Sequence, residues 1–166
     1  MSATEPEVVI RRATQADWPR IWPIFSAVIA RGDTYPLLPD MLEREAHDYW
    51  MGWLSTYVAA VGDEIVGTYA LKANQAGLGA HVANAGYMVR PGYFGRGIGT
   101  ALGEHSLSEA RAAGFRAMQF NAVVSTNIRA IALWQRLGFE IVGTVPQAFR
   151  HLQLGYVDIH IMHRFL

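Results

Sequence analysis

The sequence predicts a mixed α/β fold in one domain over residues 1–166. Three observations lead there. Short apolar runs of strand character alternate with stretches whose apolar residues recur at helical spacing. One strand-like run ends in a glycine-rich turn that opens directly into an amphipathic stretch, V-R-P-G-Y-F-G-R-G-I-G-T-A-L from Val89 to Leu102. Finally, no run of about 18 apolar residues is present to cross a membrane, and no internal repeat or low-complexity linker divides the chain.

Taken in order, Glu7 to Arg12 reads as a first strand, Val8-Val9-Ile10 flanked by charge. Thr14 and Asp17 have the spacing of a capping box, with Asp in place of Glu. A helix follows to about Arg31, with Ile21, Phe25, Val28 and Ile29 at helical spacing. Pro19 fits its first turn, whereas Pro23 removes a backbone donor and should kink it; Gly32 ends it. Gly32 to Pro39, G-D-T-Y-P-L-L-P, is a loop with Asp33, Thr34 and Tyr35 as its polar tips. A second helix is expected from about Pro39 to Leu54, with Tyr49, Trp50 and Trp53 in the core. Tyr57–Val61 and Ile65–Ala73 form a hairpin across Gly62-Asp63-Glu64. Gly77 to Gly79 turn the chain into a strand from His81 to Val89. Beyond the glycine turn, Thr100 to Ala113 is helical, with Ala101, Leu102, Leu107 and Ala110 on one face, and Gly114 ends it. Arg116 to Val124 is a strand. Thr126 caps a helix that runs to Leu137 and stops at Gly138. Phe139–Thr144 and Gly155–Arg164 are the last strands, with Pro146–Leu154 irregular or partly paired between them. The order is β-α-α-β-β-β-α-β-α-β-β.

Composition narrows the function. Basic and acidic residues balance at 14 each, so no charge excess points to nucleic acid or an anionic membrane. There is no cysteine, which excludes disulfides, thiolate catalysis and cysteine-ligated metals and fits a cytoplasmic protein. The N-terminus, M-S-A-T-E-P-E, is acidic and lacks the apolar run of a signal peptide. An apolar share of 51% suits a full core or an apolar patch used in a homodimer. No metal site is expected: His160 and His163, three apart on a strand, face opposite sides.

The glycine turn carries the first chemistry. Gly95, Gly97 and Gly99 alternate with Arg96 and Ile98 ahead of Thr100. Glycine lets backbone approach a ligand and adopt positive φ, and the first N–H groups of a helix are a ready anion site. Arg96 adds a cation. The Walker A pattern fails because no lysine follows Lys72, and the dinucleotide pattern fails because Leu102 or Thr100 stands where its third glycine belongs.

Val89-Arg90-Pro91 followed by Gly97-Ile98-Gly99 resembles the acetyl-CoA pyrophosphate loop of the GNAT superfamily of N-acyltransferases, V-x-P then [QR]-x-x-G-x-[GA]. Phe94 departs from it, standing at the Gln or Arg position. Asn127 to Phe139, N-I-R-A-I-A-L-W-Q-R-L-G-F, is similar to that family's second signature, in which Trp134 replaces the usual tyrosine. The resemblance spans essentially the whole chain. It implies a mixed sheet with helices on both faces and a splay between the strands flanking the loop. It implies acetyl-CoA as co-substrate, bound by Gly95, Arg96, Gly97, Ile98, Gly99, Thr100 and Asn127. Backbone groups of Met88 and Val89 would hold the thioester arm, one amide there acting as oxyanion donor, and the loop bearing Tyr35 would wall the acceptor site.

A narrower resemblance covers the C-terminal half. Asn84 in N-A-G-Y, Asn121 in F-N-A-V, Asn127 in S-T-N, the W-x-x-L-G-F around Trp134 and Tyr156-Val157-Asp158 are similar to fungal acetyltransferases that acylate proline analogues such as azetidine-2-carboxylate. It implies that Asn84 and Asn121 position a small amine. Many GNAT relatives carry a glutamate on the strand before the loop; Asn84 holds that place, and no carboxylate lies between Glu64 and Glu104. His81 is the remaining titratable candidate on that strand, on the face opposite Asn84, and reads better as a surface histidine. The expected function is an acetyl-CoA-dependent N-acetyltransferase for a small amine, by direct attack in a ternary complex. Alternatives are a non-catalytic acyl-CoA-binding relative, or an acetyltransferase for an amino-acid-like herbicide, a polyamine or a protein N-terminus.

Overall fold

The computed structural model describes residues 7–166; most of the acidic N-terminal stretch, 1–6, lies outside them. The elements are β1 (Val8–Arg12), α1 (Trp18–Ala30), α2 (Glu43–Met51), β2 (Ser55–Val61), β3 (Glu64–Ala73), β4 (Val82–Val89), α3 (Ile98–Ala112), β5 (Ala117–Val124), α4 (Ile128–Arg136), β6 (Glu140–His151) and β7 (Gly155–Phe165). The expected order is present. The strands form one sheet in the order β1-β2-β3-β4-β5-β7-β6.

Side-chain alternation along the strands gives the sheet two apolar faces. On one, Ile21, Phe25 and Ile29 of α1 and Trp50 of α2 pack with Val58, Ala70 and Met88. On the other, Leu102 and Leu107 of α3 and Trp134 of α4 pack with Tyr69, Met118 and Phe120. The N-terminal box closes as its spacing predicts: Asp17 accepts from Thr14 N–H at 2.8 Å and from both terminal nitrogens of Arg11 at 2.8 Å. α1 runs continuously through Pro23.

The largest differences from expectation are in α2 and β6. α2 starts at Glu43 and ends at Met51, so it is shorter at both ends. Glu45 reaches back to Leu42 N–H to fix its start, and Gly52 caps its end. β6 continues through Pro146 to His151 and pairs with β7, where an irregular segment is expected. It lies at the sheet edge, where a missing N–H costs no ladder bond, and its pairing shifts between Val145 and Phe149.

The consequential joint is β4 against β5. They run parallel and pair only at Val82↔Ala117 and Ala83↔Met118, although they continue to Val89 and Val124. Residues 84–89 and 119–124 therefore diverge along a gap of about 20 Å at the usual strand rise. On its far side the β5–β7 register breaks between Phe120 and Val123, so Asn121 and Ala122 form a bulge.

Candidate active site

A groove of about 870 Å³ lies along this gap. One end meets the N-termini of α3 and α4, and the other meets α2 and the loop holding Tyr35. At the first end Gly95 (φ 77°) and Gly97 (φ 78°) take left-handed conformations that other residues resist. Gly97 is the N-cap, and α3 begins at Ile98, two residues ahead of its expected start. The N–H groups of Ile98, Gly99 and Thr100 therefore fall in the unpaired first turn, where the helix dipole favours an anion. Nothing stands within 4 Å of the space a Cβ would fill on Gly95 or Gly97, so the backbone is open to a ligand.

Arg96 stacks on Tyr93, its guanidinium 4.8 Å from the ring centroid, and is not among the residues lining the groove. Phe94 gathers cations at the position where the family pattern has a Gln or Arg. The guanidiniums of Arg31 and Arg129 stand 5.6 and 5.7 Å from its ring centroid, and all three line the groove. Asn127, rather than Thr126, caps α4: its Oδ1 accepts from Ala130 N–H at 3.2 Å. Its Nδ2 has no hydrogen-bond partner among the described residues, and the residue lines the groove.

The β3–β4 register separates Met88 from Val89. Arg90 N–H bonds Val66 O and Asn74 N–H bonds Val82 O, so the even-numbered residues of β4 form the hydrogen-bonded pairs with β3. Met88 is turned to Thr68 across β3, and its side chain is buried with Trp50 and Phe25. Its expected role as an oxyanion donor is therefore corrected: the backbone groups turned to the gap are those of odd-numbered residues, Val89 and Tyr87 among them. Tyr35, from the loop after α1, already holds one pair. Its hydroxyl donates to Tyr87 O at 2.8 Å and accepts from Tyr87 N–H at 2.7 Å. Burial pushes its phenol far above the usual range, so it stays protonated. Gly86 makes room, since a Cβ there would come within 3.2 Å of Tyr35 Oη and of the Trp50 ring.

At the far end Asn84 and Asn121 share one partner. Asn84 Nδ2 donates to Asn74 Oδ1 at 3.3 Å and Asn121 Nδ2 donates to the same oxygen at 2.7 Å. Asn121 Oδ1 accepts from Gln119 Nε2 at 3.0 Å. Asn74 is the residue sequence reasoning missed. Its only signal is that it follows β3 at the parity that puts it beside Asn84, which requires knowing the register. Lys72, also in the groove wall, carries no sequence signal for the same reason, and Trp53, expected in the core, lines the groove as well.

A match to the family model described as Acetyltransferase (GNAT) family covers residues 16–139. The chain belongs to the GNAT acetyltransferase family. It is 32% identical to the N-acetyltransferase aca1 of Schizosaccharomyces pombe, over 80% of this chain and 72% of that protein. Among solved structures, a GCN5-related N-acetyltransferase from Kribbella flavida superposes with a TM-score of 0.92 at 44% identity, covering 96% of this chain and 98% of that one. A GNAT superfamily phosphinothricin acetyltransferase from Sinorhizobium meliloti, in complex with acetyl-CoA, superposes at 0.84 with 23% identity, covering 96% of this chain and 88% of that one. The fold is the GNAT fold, and acetyl-CoA is the co-substrate of an acetyltransferase of this family.

For a GNAT enzyme the groove is short of acid–base side chains. Among the described residues, no aspartate, glutamate or histidine lines it. His81 lies at the opposite end of β4 and faces a separate surface hollow. Trp134 is 7% exposed and packs on Phe120, Tyr87 and Phe139, with ring centroids 4.7, 4.6 and 6.0 Å away. It is a core residue, and an indole offers no useful acid.

Proposed function

We propose that this GNAT acetyltransferase transfers the acetyl group of acetyl-CoA to the nitrogen of a small amine held by Asn84 and Asn121, with a proline analogue or another amino-acid-like toxin as the leading acceptor. The observation that carries this reading is the convergence of Asn74, Asn84 and Asn121 at the inner end of a gap whose outer end is an anion site. Pyrophosphate on the amides of Gly97 to Thr100, with Arg129 near by, leaves the thioester arm to run inward along β4. Asn127 Nδ2 and the Val89 backbone would bind that arm. Val89 and Asn84 are about 16 Å apart along the strand, so the acetyl group comes to lie nearer Tyr87 than Val89.

The amine nitrogen attacks the thioester carbonyl, forming the N–C bond, and the collapsing tetrahedral intermediate breaks the C–S bond. The Tyr87 N–H and the Tyr35 hydroxyl, bonded in the free protein to Tyr35 Oη and to Tyr87 O, would turn to the charge on the carbonyl oxygen as that oxygen takes the place of the Tyr35 hydroxyl on the Tyr87 amide. A neutral amide cannot act as base, so the ammonium proton leaves to water before attack. The proton still on the nitrogen passes to solvent as the intermediate collapses, and CoA leaves as a thiolate that solvent protonates. Residence in the cytoplasm and assembly as a homodimer belong to the same proposal. The homodimer is supported by the exposed Ile141, Val142 and Val145 of edge strand β6.

Substitution Asn121→Ala should lower kcat by about ten-fold or more while leaving acetyl-CoA affinity within about two-fold. An unchanged turnover with azetidine-2-carboxylate argues against the assigned role. The groove's lack of a carboxylate or imidazole favours a second reading, an acyl-CoA-binding relative without catalysis. Acetyl-CoA binding by calorimetry with no CoA release over a broad amine panel would select it.

A further inference from the structure

We propose that Lys72 anchors the acceptor through an anionic group. The amine this enzyme accepts then carries a carboxylate close to its nitrogen, as an amino or imino acid does and a polyamine does not. This deepens the acetyltransferase reading and rests on it.

Lys72 is the chain's one lysine. It stands on β3 directly opposite Asn84, with Asn74 two residues further along the same face. Its ammonium lies 4.2 Å from the centroid of the Trp53 ring, and both residues line the groove. Stacking on the indole fixes the ammonium without neutralising it. No carboxylate comes within ion-pair distance of it among the described residues, and no acidic side chain lines the groove. A partly buried ammonium in such a wall attracts an anion and repels a second cation.

The cations of the groove fall into two groups. Arg31 and Arg129 flank Phe94 beside the anion site. Lys72 stands apart from them, beside the asparagines, where pyrophosphate on the α3 amides does not reach. The amide cluster adds a second donor. Asn74 Oδ1 is occupied by Asn84 and Asn121, which orients Asn74 and leaves its Nδ2 without a protein acceptor among the described residues. Lys72 Nζ and Asn74 Nδ2 together suit the two oxygens of one carboxylate. A nitrogen one carbon removed from that carboxylate is then directed toward Tyr87, where the acetyl group is delivered.

The test compares matched amines, proline and azetidine-2-carboxylate against prolinamide and pyrrolidine, with wild type, Lys72→Met and Lys72→Arg, following CoA release. Methionine keeps the stem against Trp53 and removes only the charge. The wild type should prefer the carboxylates, and Lys72→Met should reduce the kcat/KM ratio of proline to prolinamide by about ten-fold or more through KM, the size of one charge-assisted contact. Lys72→Arg should restore part of it. A wild type indifferent to the carboxylate, or a ratio unmoved by Lys72→Met, overturns the proposal. Calorimetric binding of N-acetylproline and N-acetylprolinamide to the CoA complex reads the same preference without turnover, and equal affinities, or no binding by either, also overturn it. Absence of acetyl-CoA binding overturns instead the reading on which it rests.

Discussion

A single phenol hydroxyl ties the loop after α1 to the strand that receives the substrate. Tyr35 bonds both backbone atoms of Tyr87, so it stands where a ligand oxygen on that amide would stand. Tyr35→Phe should lower kcat by about ten-fold, with acetyl-CoA affinity nearly unchanged, since one oxyanion donor is lost; equal turnover in the variant would remove Tyr35 from the chemistry. Phe94 bears on the other end of the groove. Phe94→Ala frees Arg31 and Arg129 from a common ring, and acetyl-CoA Kd should rise about three- to ten-fold, which calorimetry reads directly. Asp17 works on stability alone. The Arg11 guanidinium, contributing most, and the Thr14 amide hold its buried carboxyl well below the usual carboxylate range against the opposing effect of burial, and Arg20 pairs with the same carboxylate at 2.8 Å. A depressed folded pKa gives stability that is present above the ordinary value of about 4 and is lost as pH falls below it. Asp17→Asn should cost about 1–2 kcal/mol at pH 7 and flatten the acid limb of the stability profile. A variant that unfolds in acid with the wild-type profile would contradict this.

At the level of elements, the turn into α3 shows what local sequence can specify. Alternating glycines, a preceding V-x-P and a following amphipathic run are local signals, and the structure adds only that the helix starts at Ile98, earlier than Thr100. Gly97→Ala meets no steric obstacle but must adopt φ 78°, at about 1–2 kcal/mol. Thermal unfolding should register that cost, and acetyl-CoA binding should weaken with it; an unaltered midpoint would deny the strain. The asparagines at 84 and 121 were legible because they fall in short motifs. Asn74, Lys72 and Trp53 were not, because each joins the groove only through the β3–β4 register and the docking of α2. Met88 was misassigned on the same ground, since strand parity decides which amide faces the gap and motif spacing does not. β6 read as broken because Pro146 is informative only once its edge position is known.

For the molecule as a whole, the function follows from an incomplete seam. Two pairs join β4 to β5, while α3 packs over the β3–β4 side and β7 holds β5 from the other. The sheet can therefore open a gap without coming apart, and a ligand in that gap bonds strand edges that the protein leaves unpaired. A ligand of this kind stabilises the native state by mass action. Thermal unfolding with acetyl-CoA, and with NADH as a control that shares its adenosine and pyrophosphate, tests this most directly. Acetyl-CoA at about 100 times its Kd should add about 2.7 kcal/mol and raise the midpoint by about 5–10 °C for a chain of this size, with no shift from NADH. An unmoved midpoint with acetyl-CoA, or an equal shift with both ligands, would contradict the assignment of the gap and the α3 N-terminus to acetyl-CoA.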